Sequence, residues 1–316
     1  MNPLAGLYGG VAGLRNALFD RGVLSARRLK QSVVSVGNLS AGGSGKTPFV
    51  IALGELLKAR GIRFDVLSRG YGRETRGVLT VKADGKAAEF GDEPLLIARR
   101  LGVPVVVGES RYAAGRVAEQ KIDSQLHILD DGFQHRSLVR DFDIVLMAER
   151  DFGDTLLPWG RLREPLSSLA RADAVVLPAA LQVDHSALRQ KPIWRIERKL
   201  AVAKAPATPI VFCGIARSEQ FFQQVRAAGI VAAAEVEFRD HHAYDRSDVQ
   251  RLIAMRSELR AGGFLTTEKD AVNLESAPLR EELKPLAIAT LSVVLDHPAD
   301  MVDTILTTIA ERKARS

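Results

Sequence analysis

The sequence predicts an α/β fold: a P-loop NTPase-like doubly wound parallel sheet followed by a second, smaller α/β unit. Three observations predict it. The apolar run Val33-Val34-Ser35-Val36 leads into Ser40-Ala41-Gly42-Gly43-Ser44-Gly45-Lys46-Thr47, and Pro48 to Arg60 can form a helix that Gly61 would stop. Beyond it, apolar runs alternate with helical stretches, as a parallel sheet requires. Near residue 200 the composition shifts, and a second alternating series begins. The predicted organisation is an N-terminal segment over 1–31, a P-loop domain over 32–200 and a smaller α/β domain over 201–316.

The N-terminal segment is amphipathic. Leu4, Leu7, Val11, Leu14 and Leu18 are spaced as one stripe of a helix, which Gly6, Gly9, Gly10 and Gly13 weaken in water. Arg15, Arg21, Arg27, Arg28 and Lys30 stand against Asp20 alone, a net +4 of the whole chain's +6. No basic residue precedes the apolar part, unlike a secretory signal, and Arg15 interrupts it well short of a membrane span. Two readings stay open: a helix packed on its own protein, or one lying in a membrane interface with its basic residues toward anionic lipid.

After the loop, Phe64 to Leu67 reads as a strand, and Val78–Val81 with Ala87–Phe90 as a hairpin about Asp84-Gly85. Glu93–Leu101 and Tyr112–Lys121 read as helices. Val103–Val107, Leu126–Leu129, Ile144–Met147 and Ala174–Leu177 complete about six parallel strands, whose ligand belongs at their C-terminal ends. Residues 191–209, with three prolines, suit a connecting ribbon. Then Ile210–Phe212, Ile230–Val236, Phe264–Thr266 and Ile288–Val294 alternate with helices over 218–228, 246–259 and 298–312. The single cysteine, Cys213, permits no internal disulfide and suits a reducing compartment. Aromatic residues at 6%, with no recognition motif, argue against nucleic acid as the basic chain's partner.

A strand, a glycine-rich loop ending in Gly-Lys-Thr, and a helix make a polyphosphate site. Backbone N–H groups of Gly42, Gly43, Ser44 and Gly45 surround phosphate, Lys46 adds mobile charge, and the Thr47 hydroxyl can bind Mg²⁺. The usual first glycine is replaced by Ser40. Asp130-Asp131 ends an apolar strand, where a carboxylate can hold the same Mg²⁺. Asp92, after Gly91 and before a helix, is either an N-cap or a general base for an attacking hydroxyl. His241-His242 is the densest histidine cluster and is either surface or cleft, and which imidazole faces inward stays open. Arg69, Arg73, Arg111, Arg161 and Arg163 follow predicted strand ends and as a set favour a polyanion. Zinc-type Cys/His spacing and a Gly-x-Ser-x-Gly elbow are absent.

Taken together, these motifs resemble the lipid A 4'-kinase (tetraacyldisaccharide 4'-kinase) family. The resemblance is carried by Val36-Gly37-Asn38-Leu39-Ser40 running into Gly42 to Pro48, Ser68-Arg69-Gly70-Tyr71-Gly72, Gly91 to Pro94, Asp130 to His135, Gly160 to Pro165, Asp240-His241-His242 and Thr266 to Asp270. It covers nearly the whole chain in order, and the missing first glycine is also how that family's loop looks. It implies a kinase that moves the γ-phosphate of ATP, with Mg²⁺, to the 4'-hydroxyl of a tetraacylated glucosamine disaccharide 1-phosphate, giving lipid IVA at the cytoplasmic face of the inner membrane. It implies Asp92 as base with His241, Lys46 and Thr47 in P-loop roles, Asp130 and Asp131 serving Mg²⁺ and the transition state, and Tyr71, Arg111, His135 and Glu164 lining the site.

Two rivals were weighed on residues. A guanine-reading switch needs Asn-Lys-x-Asp, whereas Lys269-Asp270 follows Thr267-Glu268, and a partitioning ATPase needs lysine where Ala41 stands. A soluble sugar or cofactor kinase is opposed by the greasy, basic N-terminus.

Overall fold

A computed structural model describes residues 3–43, 45–276 and 279–315, with side chains for all of these but 3–9, 11, 12 and 276. The first half comprises α1 (Pro3–Asp20), β1 (Ser32–Asn38), α2 (Lys46–Ala59), β2 (Phe64–Ser68), β3 (Leu79–Thr80), α3 (Ala87–Phe90) and α4 (Asp92–Leu101). It continues through β4 (Val105–Val107), α5 (Arg111–Lys121), β5 (Leu126–Asp130), β6 (Phe142–Leu146), β7 (Ala174–Pro178) and β8 (Ile193–Val202). The second half has β9 (Ile210–Cys213), α6 (Ser218–Ala227), β10 (Ala234–Glu237), α7 (Arg246–Glu258), β11 (Phe264–Thr267), α8 (Glu268–Ser276), β12 (Leu286–Leu295) and α9 (Pro298–Ala314).

All twelve strands join one sheet, in the order β10-β9-β11-β12-β8-β7-β6-β1-β5-β2-β4-β3. Pairing is parallel except where β3 meets β4 and where β12 meets β8 over seven residue pairs. That antiparallel pair joins the two groups of parallel strands. Every residue of β1 is buried, as expected for a parallel strand covered on both faces. β1 lies between β5 and β6, and the chain runs from β1 to β2 on one side and from β5 to β6 on the other, which opens a crevice at the strand C-termini.

Val34, Val36, Phe49, Leu53 and Leu57 form the core under α2, and α9 returns to it with Met301, Val302, Ile305 and Ile309. In the second half, Phe212, Phe264 and Tyr244 pack on one face of the sheet, and Val211, Cys213, Phe221 and Phe222 on the other. Gly37 sits where a Cβ would lie 2.6 Å from Phe133 Cβ and 2.9 Å from its backbone N. Neither atom can move away alone, so Gly37→Ala is expected to cost about 2 kcal/mol by overpacking, read as a lowered Tm.

Two expectations need correction. Ala87–Phe90 is a helical turn, not the return arm of a hairpin: Ala-Ala-Glu-Phe favours helix, and the Glu89 carboxylate accepts the Lys86 N–H at 3.3 Å. β3 pairs instead with β4. The strand expected from Ile230 begins only at Ala234, since Ala232-Ala233-Ala234 offers no β-branched side chain to pack.

α1 is helical, and its last turns are docked. Asn16 donates to Glu164 at 2.6 Å, Arg136 reaches the Asn16 carbonyl at 2.9 Å and Asp20 at 2.6 Å, and Phe19 lies between the Arg15 and Arg136 guanidiniums. Leu14 is 62% exposed. The Leu4, Leu7 and Val11 side chains lie outside the described set. Arg28 is tied to Asp141 at 2.8 Å and Arg27 lies over the Tyr112 ring, whereas Arg21 and Lys30 are exposed. Among the described residues no helix is long and apolar enough to cross a membrane.

Candidate active site

The crevice at the end of β1 is a cleft of about 970 Å³ lined from both halves of the chain. Gly42, Gly43, Gly45, Lys46 and Thr47 form one wall. Gly45 caps α2 with φ of 79°, a left-handed conformation that disfavours side chains, and a Cβ there would meet the Arg198 guanidinium at 2.4 Å. Ser44 lies outside the described residues. The loop stem is braced by the 160–165 segment, where Ala41 N–H donates to the Arg161 carbonyl at 2.6 Å and Arg163 N–H to that of Leu39 at 2.7 Å.

Lys46 Nζ donates to Asn38 Oδ1 at 3.0 Å and lies 3.3 Å from Asp131. Arg163 holds the other side of Asp131 at 3.0 Å. Burial pushes the Asp131 carboxyl up, but Lys46 and Arg163 outweigh it, and the group lies below its ordinary value. Asp130 behaves oppositely. Burial, then the charges of Glu93 and Asp131, push it up to about 7. Its Oδ2 accepts from Ser68 Oγ at 3.2 Å, while Oδ1 is buried without a hydrogen-bond partner. An orphaned carboxylate oxygen in a cleft shared with the Thr47 hydroxyl is a donor set suited to a hard cation. Among the described residues no three His, Cys, Asp or Glu side chains cluster to hold a metal, so Mg²⁺ there would draw its remaining ligands from phosphate and water.

Asp92, the first residue of α4 and 4% exposed, sits behind the cleft lining that its neighbour Glu93 and its partner His241 form. The helix has no side-chain cap, and Asp92 accepts the neighbouring Glu93 N–H at 2.8 Å. His241 Nδ1 lies 3.1 and 2.9 Å from its two oxygens, 149 residues away in sequence. Burial raises the Asp92 carboxyl, but His241 and Lys269 more than offset this and leave it below its ordinary value. Burial lowers His241, and Asp92 more than offsets that in turn, so the imidazole lies above its ordinary value. His242 points elsewhere: its Nε2 meets Asp248 at 2.7 Å and its ring stacks on Phe238. Of the two, His241 is the one that lines the cleft.

A basic sector lines the remaining wall with Arg15, Arg69, Arg111, His135 and Arg163. Arg111 Nε is buried without a hydrogen-bond partner, and its Nη1 donates to the Glu109 carbonyl at 3.1 Å. Burial, with Arg111 and neighbouring arginines, brings His135 down to about 4, so its ring is neutral at pH 7. Tyr71 forms the rim, 65% exposed, with its ring 5.0 Å from that of His241. Glu164 sits apart from the cleft lining. It accepts from Arg171 at 2.9 Å and from Asn16, and so carries α1 rather than facing the crevice. Arg73 and Arg161 are likewise engaged, by Glu109 and Asp154.

Sequence reasoning missed several residues that line the cleft or hold its lining. Asn38 holds Lys46, Arg198 and Arg217 approach the P-loop from the second half, and Lys269 reaches His241 Nε2 at 3.1 Å. Lys269 carried a readable signal. It stands in the first turn of a helix, where the dipole disfavours a cation.

Known proteins match this chain along most of its length. The profile of the tetraacyldisaccharide-1-P 4'-kinase family matches residues 1–310. The tetraacyldisaccharide 4'-kinase of Koribacter versatilis is 46% identical over 99% of this chain and 100% of its own. That of Aquifex aeolicus is 39% identical over 86% of this chain and 89% of its own. A crystal structure of Aquifex aeolicus LpxK in complex with ATP superposes with a TM-score of 0.79 at 34% identity, covering 97% of both chains. The chain therefore belongs to the tetraacyldisaccharide-1-phosphate 4'-kinase family.

Proposed function

We propose that the cleft carries out this family's activity, 4'-phosphorylation of a tetraacyl disaccharide 1-phosphate in lipid A biosynthesis, with ATP as donor and Asp92 as the proton acceptor. The observation that carries this reading is the pairing of buried Asp92, at 2.9 Å, with His241, whose imidazole lines the same cleft as the P-loop. The triphosphate lies along Gly42 to Thr47, and Lys46 moves from Asp131 onto its β- and γ-oxygens. Arg163 then keeps Asp131 paired. Thr47 and Asp130 would hold Mg²⁺, which when bound would neutralise charge at the phosphates. Asp92, ionised and oriented by the His241 Nδ1–H, accepts the 4'-hydroxyl proton as the oxygen attacks. Little basicity is demanded in a loose phosphoryl transfer, so a carboxylate held below its ordinary value suffices. Arg69, Arg111 and neutral His135 bind and orient the acceptor, whose own phosphate needs a cationic partner.

The acceptor carries several acyl chains and must be drawn from a bilayer. We place the chain as a peripheral protein of the inner membrane's cytoplasmic face, with α1 in the interface. Exposed Leu14 shares a helix face with Leu7 and Val11 by spacing, and Arg21 and Lys30 are free to meet anionic lipid, each adding about 1 kcal/mol near the surface. Arg28 is committed to Asp141 and contributes less than its charge suggests. Transfer from ATP should strongly prefer the tetraacyl acceptor over its deacylated counterpart. Binding to anionic vesicles should weaken with salt without vanishing. Leu7, Val11 and Leu14 to Ser should release the protein from vesicles and raise the KM for lipid, leaving that for ATP unchanged. Equal use of the soluble acceptor, with no vesicle binding at low salt, would return the chain to a soluble-sugar kinase.

A further inference from the structure

We infer that Lys269 is a positioning residue for this reaction: its ammonium sets the tautomer of His241, and through it the proton that His241 directs at Asp92. The inference rests on Asp92 being the proton acceptor. Lys269 Nζ lies 3.1 Å from His241 Nε2, 3.2 Å from Asp240, 3.4 Å from Glu93 and 3.8 Å from Asp92. An ammonium has only donors, so Nε2 must accept, and the ring's one hydrogen goes to Nδ1, where Asp92 lies. A second proton at Nε2 would face that ammonium.

The placement is built, not incidental. α8 is locked to α4 by Arg100–Glu268 and Arg99–Glu275 pairs and by Asn273 donating to Asp92 at 3.4 Å. The next residue, Asp270, is fully buried and accepts from the Gly214 N–H and the Tyr244 hydroxyl, each at 2.8 Å. The Gly214 carbonyl in turn accepts the His241 N–H at 3.1 Å. One short run, Lys269-Asp270, thus fixes the imidazole through both its ring and its backbone. Lys269 also spans the halves, with Glu93 on α4 and Asp240 beside His241.

The test compares Lys269→Met and Lys269→Arg with the wild type in kcat, KM and pH profile. The groups facing His241 are Asp92 from α4, Asp240 from its own loop, Lys269 from α8 and the Tyr71 ring, with Glu93 of α4 reached through Lys269. With methionine at 269, Asp240 at 3.8 Å becomes the nearest charge to Nε2, and the ring takes its second proton more readily. We expect Lys269→Met to lower kcat about 100-fold, with both KM values little changed, and to move the acid limb of kcat up by about one pH unit. Lys269→Arg, also donor-only, should restore the limb and much of kcat. Asp92→Asn serves as the separating arm. If it is inactive while Lys269→Met keeps the wild-type limb, or if Arg fails as badly as Met, the inference is overturned and the base reading stands. If Asp92→Asn is itself active, the base reading falls first.

Discussion

Lys46→Ala is expected to lower kcat by two to three orders of magnitude, roughly 3–4 kcal/mol of transition-state stabilisation, while leaving Tm within a few degrees of the wild type. The ammonium is held at 3.0 Å by Asn38 and 3.3 Å by Asp131 at the mouth of the phosphate loop, from where it can transfer to the phosphates. Stability should survive because Asp131 keeps Arg163 at 3.0 Å, so no carboxylate is left unpaired. Turnover assays and thermal unfolding of the two proteins decide it. Near-normal turnover would remove the phosphate loop from the reaction.

The second large effect concerns Asp92 and His241. Asp92→Ala should cost about 10²–10⁴ in kcat, the range for a positioned general base. His241→Ala should cost less, since it leaves the carboxylate but frees its orientation. The double variant should be little worse than Asp92→Ala alone, because the imidazole acts only through the carboxylate 2.9 Å from it. Fully multiplicative losses would separate the two residues and leave His241 with a role of its own.

Much of the first half was legible because its chemistry is local. β1, the glycine-rich loop and α2 are contiguous in sequence, and apart from Val78–Val81, which pairs antiparallel, each apolar strand run from Phe64 to Leu177 pairs in parallel as its pattern implies. Asp130 and Asp131 were readable as a strand-end pair, but not their opposite behaviour. That depends on Ser68, Lys46 and Arg163, which only the folded sheet brings together. The same holds for Asp92 and His241, whose contact spans 149 residues. α8 escaped notice because its first turn coincides with the Thr266–Asp270 motif. Glu164 looked like a site residue from its motif, yet its partners are Arg171 and Asn16 of α1. A motif marks a constrained residue without saying on which side of the backbone the constraint lies. The choice of His241 over His242 also required the full packing, since Phe238 and Asp248 claim His242.

The most direct test of the account is to locate the transferred phosphate. Tetraacyl disaccharide 1-phosphate is incubated with Mg²⁺ and ATP carrying an isotopic label in its γ-phosphate, using the wild type and Asp92→Asn, and the product is read by tandem mass spectrometry. The account predicts label on the 4'-hydroxyl of the distal sugar with the wild type and almost none with Asp92→Asn. Label at another position, no transfer by the wild type, or equal transfer by Asp92→Asn would contradict it.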